Sequence, residues 1–395
     1  MDSALTQENI KQAIETARRV WRLPRAVIPI YGTTFVDTLG YTLMIPLLPI
    51  VAQRYGASDV MVGALLSIPA FCSMIVAPIW GKLSDRFGRK VVIISGQCLS
   101  LAGYLLLALS HSLLLIFLSR VISGCGGGSL GSVASYIADV TKEDQRDEAY
   151  AIYGAVFGMA FVVGPVTSGM LAHNGVAIPF FVAAGLEVLN IVFTIRFVPQ
   201  RRVARATTGL RSFLEAVKAP GVRRVLIRQF LFIFGVVCFL ANFALYLQHI
   251  LRNDAPKAGW LLGLAGLVGG IVLLVGVAPL ARLIGRRRVA QIGFLFALAA
   301  YVLLLTVNNV FTFFFVLVLW AIGSAMVEPT LTAALSQRAD ERERGAIMGL
   351  GDSINSLAII LGPAAGSAIV GANARLLGIL PAVASVAALL MGHED

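Results

Sequence analysis

Apolar residues run along this 395-residue chain in long continuous blocks rather than in alternation. Twelve blocks are long enough to cross a bilayer: residues 26–50, 61–80, 91–110, 113–138, 149–171, 178–198, 225–250, 259–281, 289–307, 310–334, 346–370 and 374–392. A crossing helix needs about 20 apolar residues, because each rises ~1.5 Å through a hydrocarbon layer about 30 Å thick. Barrel strands would alternate apolar and polar positions. The pattern therefore predicts an all-α integral membrane protein of twelve spans. The longest polar stretch, 199–224, is rich in Arg and divides the spans six and six. It predicts a cytoplasmic linker, partly helical around Ser212–Lys218, between a bundle at 26–198 and a second at 225–392. Residues 1–25 form a leading segment.

The halves repeat at an offset near 198. The stretch AYAIYGAVFGMAFVVGPVTSG (149–169) has a partner in GAIMGLGDSINSLAIILGPAAG (345–366), each ending in Gly-Pro at Gly164-Pro165 and Gly362-Pro363. GKLSDRFGRK (81–90) is echoed by APLARLIGRRRV (278–289), with Gly88 matching Gly285 and Arg282 standing where the first copy has Asp85. Both copies lie in short loops, where glycine permits a tight turn between helices.

Composition agrees with the pattern. The chain is 58% hydrophobic and 13% charged, with mean hydropathy +0.84; soluble proteins carry about 25% charge. Net charge is +11, which topology explains without nucleic acid. Of 32 Lys and Arg, 27 fall on the side that holds both termini and four on the other. Basic loops stay in the cytoplasm, so both termini are expected there, in a cell inner (plasma) membrane. The first 24 residues lack an apolar core for a cleaved signal. Arg18, Arg19, Arg22 and Arg25 are placed to meet anionic headgroups. Cys72, Cys98, Cys125 and Cys238 all fall within spans and form no CxxC pair, so neither a disulfide frame nor a metal site is expected.

Gly81–Lys90 resembles the signature loop of the major facilitator superfamily. Three further stretches resemble motifs of its twelve-span drug:proton antiporters: DTLGYTLMIPLLP (37–49), RVISGCGGG (120–128, with Ser123 where the usual residue is Gln) and GMAFVVGPVTSG (158–169). The resemblance implies two pseudo-symmetric six-helix bundles around a central cavity, the major facilitator fold. It also implies that Asp85 bridges the bundles at the cytoplasmic side, facing the start of span eleven near Gly345–Ala346. Arg86 and Arg89 would hold the loop, and Gly81, Gly88, Gly164 and Pro165 would serve gating.

Ionisable groups inside spans cost about 2.5–3.5 kcal/mol each and so need a reason. Five lie away from span ends: Asp37, Arg120, Glu187, Glu328 and Asp352. Asp37 shares a helical face with Tyr41, Met44 and Leu48, which suits a cavity wall. Since the resemblance lines the cavity with spans one and four, Arg120 is expected to pair with Asp37. Glu187 is expected either as a second proton or cation site or as a partner of Asn190 on its own helix. Glu328 precedes Pro329, where a span bends. Asp352 and Asn355 share a face of span eleven. The proton-coupling candidates are Asp37, Arg120, Glu187 and Glu328. The substrate candidates are Tyr41, Met44, Tyr136, Asn242, Phe243, Tyr246 and Asn355. Glycine pairs such as Gly154/Gly158 and Gly362/Gly366 suit close helix packing.

No nucleophilic triad, phosphate loop or metal cluster is present in the sequence, and neither an enzyme nor a cofactor is expected. The expected function is export of small, largely apolar compounds by alternating access, driven by proton entry, in a monomer whose partners are substrate, protons and lipid. Efflux of a sugar or specific metabolite, and a non-transporting membrane sensor, are the alternatives.

Overall fold

The computed structural model describes residues 24–127, 130–142, 145–200, 220–251, 255–337 and 344–392. The segment around Ser212–Lys218 lies outside these residues, as do Arg18, Arg19 and Arg22. All regular structure among the described residues is helical. Helix α1 runs Ile28–Met44 and continues as Leu48–Arg54 after a 41° bend. Pro46 stands at that bend: it offers no N–H, and its ring displaces the carbonyl four residues back. Then follow α2 (Asp59–Phe87), α3 (Arg89–Ala108), α4 (Leu113–Gly127, then Leu130–Val140), α5 (Arg146–Ala172) and α6 (Ile178–Phe197). The second six are α7 (Pro220–Tyr246, extended by a π turn), α8 (Ala255–Ile271, a π turn, then Ala278–Ile284), α9 (Arg286–Leu304), α10 (Val310–Gln337), α11 (Arg344–Asn373) and α12 (Ile379–Met391).

Among the described residues ten helical stretches are long and apolar enough to cross a membrane, or eleven with the bent α1 as one span. The last stretch covers Ser353–Met391, 39 residues and about twice one crossing. Asn373 breaks it with an extended backbone (φ −161°, ψ 109°), and α11 and α12 both pack on α7. The chain therefore crosses twice there, which restores twelve. Helix α7 begins at Pro220, so the second half starts a few residues before the expected 225.

Ties between helix ends show the alternation of direction. At one face Tyr31 donates to the Ala149 carbonyl, Lys90 to that of Ile195 and Arg287 to that of Gly392. This face carries the Gly81–Lys90 loop and is called here the basic face. At the far face Tyr55 donates to the Ser110 carbonyl, and Arg375 to Asn308.

The two repeated loops share one backbone conformation. Gly88 has φ 93° and ψ 158°; Gly285 has φ 86° and ψ 147°. L side chains are excluded from that region, so each loop needs glycine to turn one helix straight into the next.

The halves meet mainly toward the far face. There one apolar cluster joins Leu43, Met44 and Leu65 of the first half to Phe239, Phe243 and Trp320 of the second. Toward the basic face the clusters separate: one holds Ile30, Ile93 and Tyr136, another Val225, Leu335 and Ile347. Helix α2 packs on α11 and α5 on α8. Gly63 lies so close to Ser367 and Pro363 that a Cβ would collide with both. By contrast, a Cβ on Gly81, Gly154, Gly158 or Gly270 would meet open space. The molecule is thus closed at the far face, with a cleft between the halves that opens to the basic face.

Candidate functional site

The amino half holds a buried polar stripe built from α1, α3 and α6. Glu187, Asn190 and Thr194 follow one face of α6 at i, i+3 and i+7, and Thr33 and Asp37 follow one face of α1. Asn190 Nδ2 donates to Asp37 Oδ1 at 3.1 Å and to the Thr33 carbonyl at 3.2 Å. Thr33 and Thr194 hydroxyls meet at 3.2 Å, and Gln97 Nε2 donates to Thr194 Oγ1 at 3.1 Å. The Glu187 carboxyl lies within hydrogen-bonding reach of the Asp37 carboxyl. Glu187 is 0% exposed, and no donor among the described residues reaches either of its oxygens. Two acids thus face each other inside one bundle. Asp37 is the half-buried one of the two.

The expected Asp37–Arg120 pair is not formed. Arg120 is 2% exposed, and its guanidinium donates to Ser119 Oγ (3.3 Å) and Met44 Sδ (3.4 Å). Met44 lies seven residues beyond Asp37, about 10 Å along the helix. Arg120 is also only seven residues from the far-face end of α4, so the two groups sit at different depths. Tyr104 stands among Asp37, Glu187, Tyr41 and Arg120, its ring against Gly40. Nor does Asn190 serve Glu187 as its own-helix partner; it turns to Asp37 and Thr33 instead.

Tyr41 (41% exposed) and Glu328 are open to solvent although protein surrounds them, so both face the cleft rather than lipid. Asn355 is half-buried and accepts from Gln229 Nε2 at 3.1 Å, a contact internal to the second half. Asp352 is placed on α11, but its side chain lies outside the described residues. Four substrate candidates are held in packing instead of lining the cleft. Tyr136 is fully buried in the basic-face cluster of the amino half. Asn242 donates to the carbonyls of Cys238 and Pro363, wedged against Gly366. Phe243 is 0% exposed in the far-face core. Tyr246 stacks on Phe313 and donates to the Leu304 carbonyl.

Arg89 organises the signature loop. Its Nε donates to Asp139 Oδ2 at 3.0 Å and its Nη1 to Ser84 Oγ at 2.9 Å, while Asp85 lies 3.5 Å away. The Asp85 side chain is 50% exposed and pairs within its own loop. Arg86 lies over the Phe87 ring at 5.2 Å. Gly164-Pro165 brings α5 onto α1: Gly164 faces Thr42, whose hydroxyl donates to the Ala160 carbonyl, and Ser168 donates to that of Leu43. Sequence reasoning missed Tyr104, Gln97 and Asp139. The polar stripe of α6 was legible as a period; the partners that α3 and α4 supply were not.

A twelve-helix carrier with a cleft between two repeated halves is the class that fold and site define. The chain belongs to the Major Facilitator Superfamily, whose family profile matches residues 30–251 and again 225–392. It is a multi-pass membrane transporter, not an enzyme. It is 27% identical over 359 residues to the tetracycline resistance protein, class C, of Escherichia coli, covering 88% of this chain and 90% of that one. It is 26% identical over 336 residues to multidrug resistance protein 1 of Bacillus subtilis (strain 168), covering 84% and 86%. Among solved structures, the peptide transporter POT in complex with sulfate matches with a TM-score of 0.74 at 17% identity, covering 94% of this chain and 93% of that one.

Proposed function

We propose that this chain is a proton-coupled antiporter that exports small, largely apolar compounds, drugs among them, by alternating access. The names of its relatives support the drug-efflux part of that reading. The excess of Lys and Arg at the basic face supports a cytoplasmic setting for that face, and for both termini, in a bacterial inner membrane. In that orientation the cleft faces the cytoplasm, where compounds would enter.

The observation that carries proton coupling is the facing pair Asp37 and Glu187. Two carboxylates held together away from water repel; one shared proton turns the repulsion into a hydrogen bond. Asp37, half-buried, is the port for that proton, and Glu187, fully buried, is its store. Loss of the proton would charge both acids and force α1 and α6 to adjust, which moves the cavity wall that carries Tyr41. Asp85 acts at another stage: with the cleft open it rests on Arg89, and with the cleft closed it would reach the N-terminus of α11, whose free N–H groups attract an anion. Glu328, on the opposite wall, is a second acid that cleft water can reach.

The test is efflux from proteoliposomes with and without an inward proton gradient, alongside proton release on adding a compound to the purified protein. Gradient-driven efflux that survives both Asp37→Asn and Glu187→Gln would remove the pair from the mechanism.

A further inference from the structure

With Asp37 paired elsewhere, Arg120 is a buried cation without an assigned task. Among the described residues no carboxylate lies within 4.0 Å of it. One of its two side-chain acceptors is a thioether sulfur, which accepts weakly. A guanidinium carries five donors in a planar fork. The contrast with Arg89 is direct: that residue has Asp139, Ser84 and Asp85 around it. A buried charge is retained against its desolvation cost when an opposite charge meets it, and among the described residues none does.

The guanidinium lines a gap walled by Tyr41, Met44, Leu48, Leu65 and Pro69. Met44, Leu48 and Leu65 belong to the far-face core, so the gap is the dead end of the cleft. Tyr41 is open to the cleft and marks the way in. The gap holds about 10 Å³, room for a water-sized group and not for a whole ligand. One oxygen of an ionised tip fits there, while the rest of the tip and its apolar body lie toward Tyr41. Asp37, the acid on the helix that carries Met44, stands about two turns away from the guanidinium's contact at Met44.

We propose that Arg120 anchors the substrate's anionic group: the carboxylate, or an ionised enol or phenol, of a largely apolar compound. This deepens the export reading and rests on it. The oxygen that enters the gap accepts a charge-assisted hydrogen bond from the guanidinium, stronger than one between neutral groups. The apolar wall lowers the dielectric around the contact and strengthens it. Neutral compounds of the same shape would use the wall alone.

The experiment is isothermal titration of the full-length purified protein with 1-naphthylacetate and with its methyl ester, for the wild type, Arg120→Met and Arg120→Lys. The wild type should bind the acid about tenfold or more tighter than the ester, the effect of a hydrogen bond to a charged group. Arg120→Met should bring that ratio to about one, and Arg120→Lys, which keeps the charge but not the fork, should lower it severalfold. If Arg120→Met does not yield a monodisperse protein, Arg120→Lys carries the comparison. Equal binding of acid and ester by the wild type overturns the proposal, as does a ratio that neither substitution changes. Efflux of ethidium from proteoliposomes, measured in parallel, separates the two readings. Acid preference without any efflux would sink the export function alone, and efflux without acid preference would sink the anion anchor alone.

Discussion

His249 Nε2 lies 3.0 Å from Asp59 Oδ2, which joins the end of α7 to the start of α2 across the two halves. Asp59 also accepts from Gln53 Nε2 at 2.8 Å, and Gly371 of α11 packs beside it. For the cleft to open at the far face, this pair must part. The His249 side chain is 44% exposed, so the pair is worth at most about 1 kcal/mol. His249→Gln should therefore shift the balance toward the far-face-open state by up to about fivefold. The readout is the labelling rate of a thiol at Val62→Cys, a position buried in the closed far-face core. An unchanged rate would mean that the pair takes no part in closure.

Asp37 and Glu187 should separate function from stability. Among the described residues no N–H or hydroxyl donor reaches Glu187, so the proton it shares with Asp37 supplies its hydrogen bond. Glu187→Gln keeps a donor toward Asp37 but cannot release a proton, so it should melt at the same or a higher temperature than the wild type, while gradient-driven efflux is lost. Asp37→Asn should lose the same efflux but keep binding of a neutral compound. Thermal unfolding by intrinsic fluorescence and equilibrium binding check the two halves of this expectation.

Gly88 and Gly285 should prove equally intolerant, although the charges around them differ. Both hold φ near +90° with extended ψ. Alanine there costs about 1–3 kcal/mol in backbone strain. Gly88→Ala and Gly285→Ala should each lower the melting temperature by similar amounts. Gly154→Ala, beside open space, should change it little.

Gly63→Ala should oppose closure of the far face directly, because the new Cβ would run into Ser367 and Pro363. Overpacking of this kind costs about 1–3 kcal/mol, enough to displace a two-state equilibrium by roughly 5- to 150-fold. Spin labels on α2 and α11 at the far face should report a longer separation, and export should slow. Ser367→Gly in the same protein should recover part of both.

How far each group lies along its own helix was legible from the chain. Continuous apolar blocks gave twelve crossings, because a helix in lipid must satisfy its backbone internally and keep apolar side chains outward. The repeat at 81–90 and 278–289 became two glycines in one conformation, because only glycine enters that region of φ and ψ. The stripe Glu187, Asn190 and Thr194 follows from 3.6 residues per turn. The mismatch of Asp37 and Arg120 was legible too, since counting about 1.5 Å per residue from each helix end separates them by roughly two turns. What the chain could not show is which helices touch and which faces they turn to each other. Asp37 meets Glu187 only because α1 packs on α6, 150 residues apart. Tyr246, Asn242 and Phe243 read as cavity residues and became core, because α7 turns that face toward α9, α10 and α11. Side-chain depth is set locally by helix rise, while azimuth and partner are set by the packing of all twelve helices at once, which leaves no trace in any single segment.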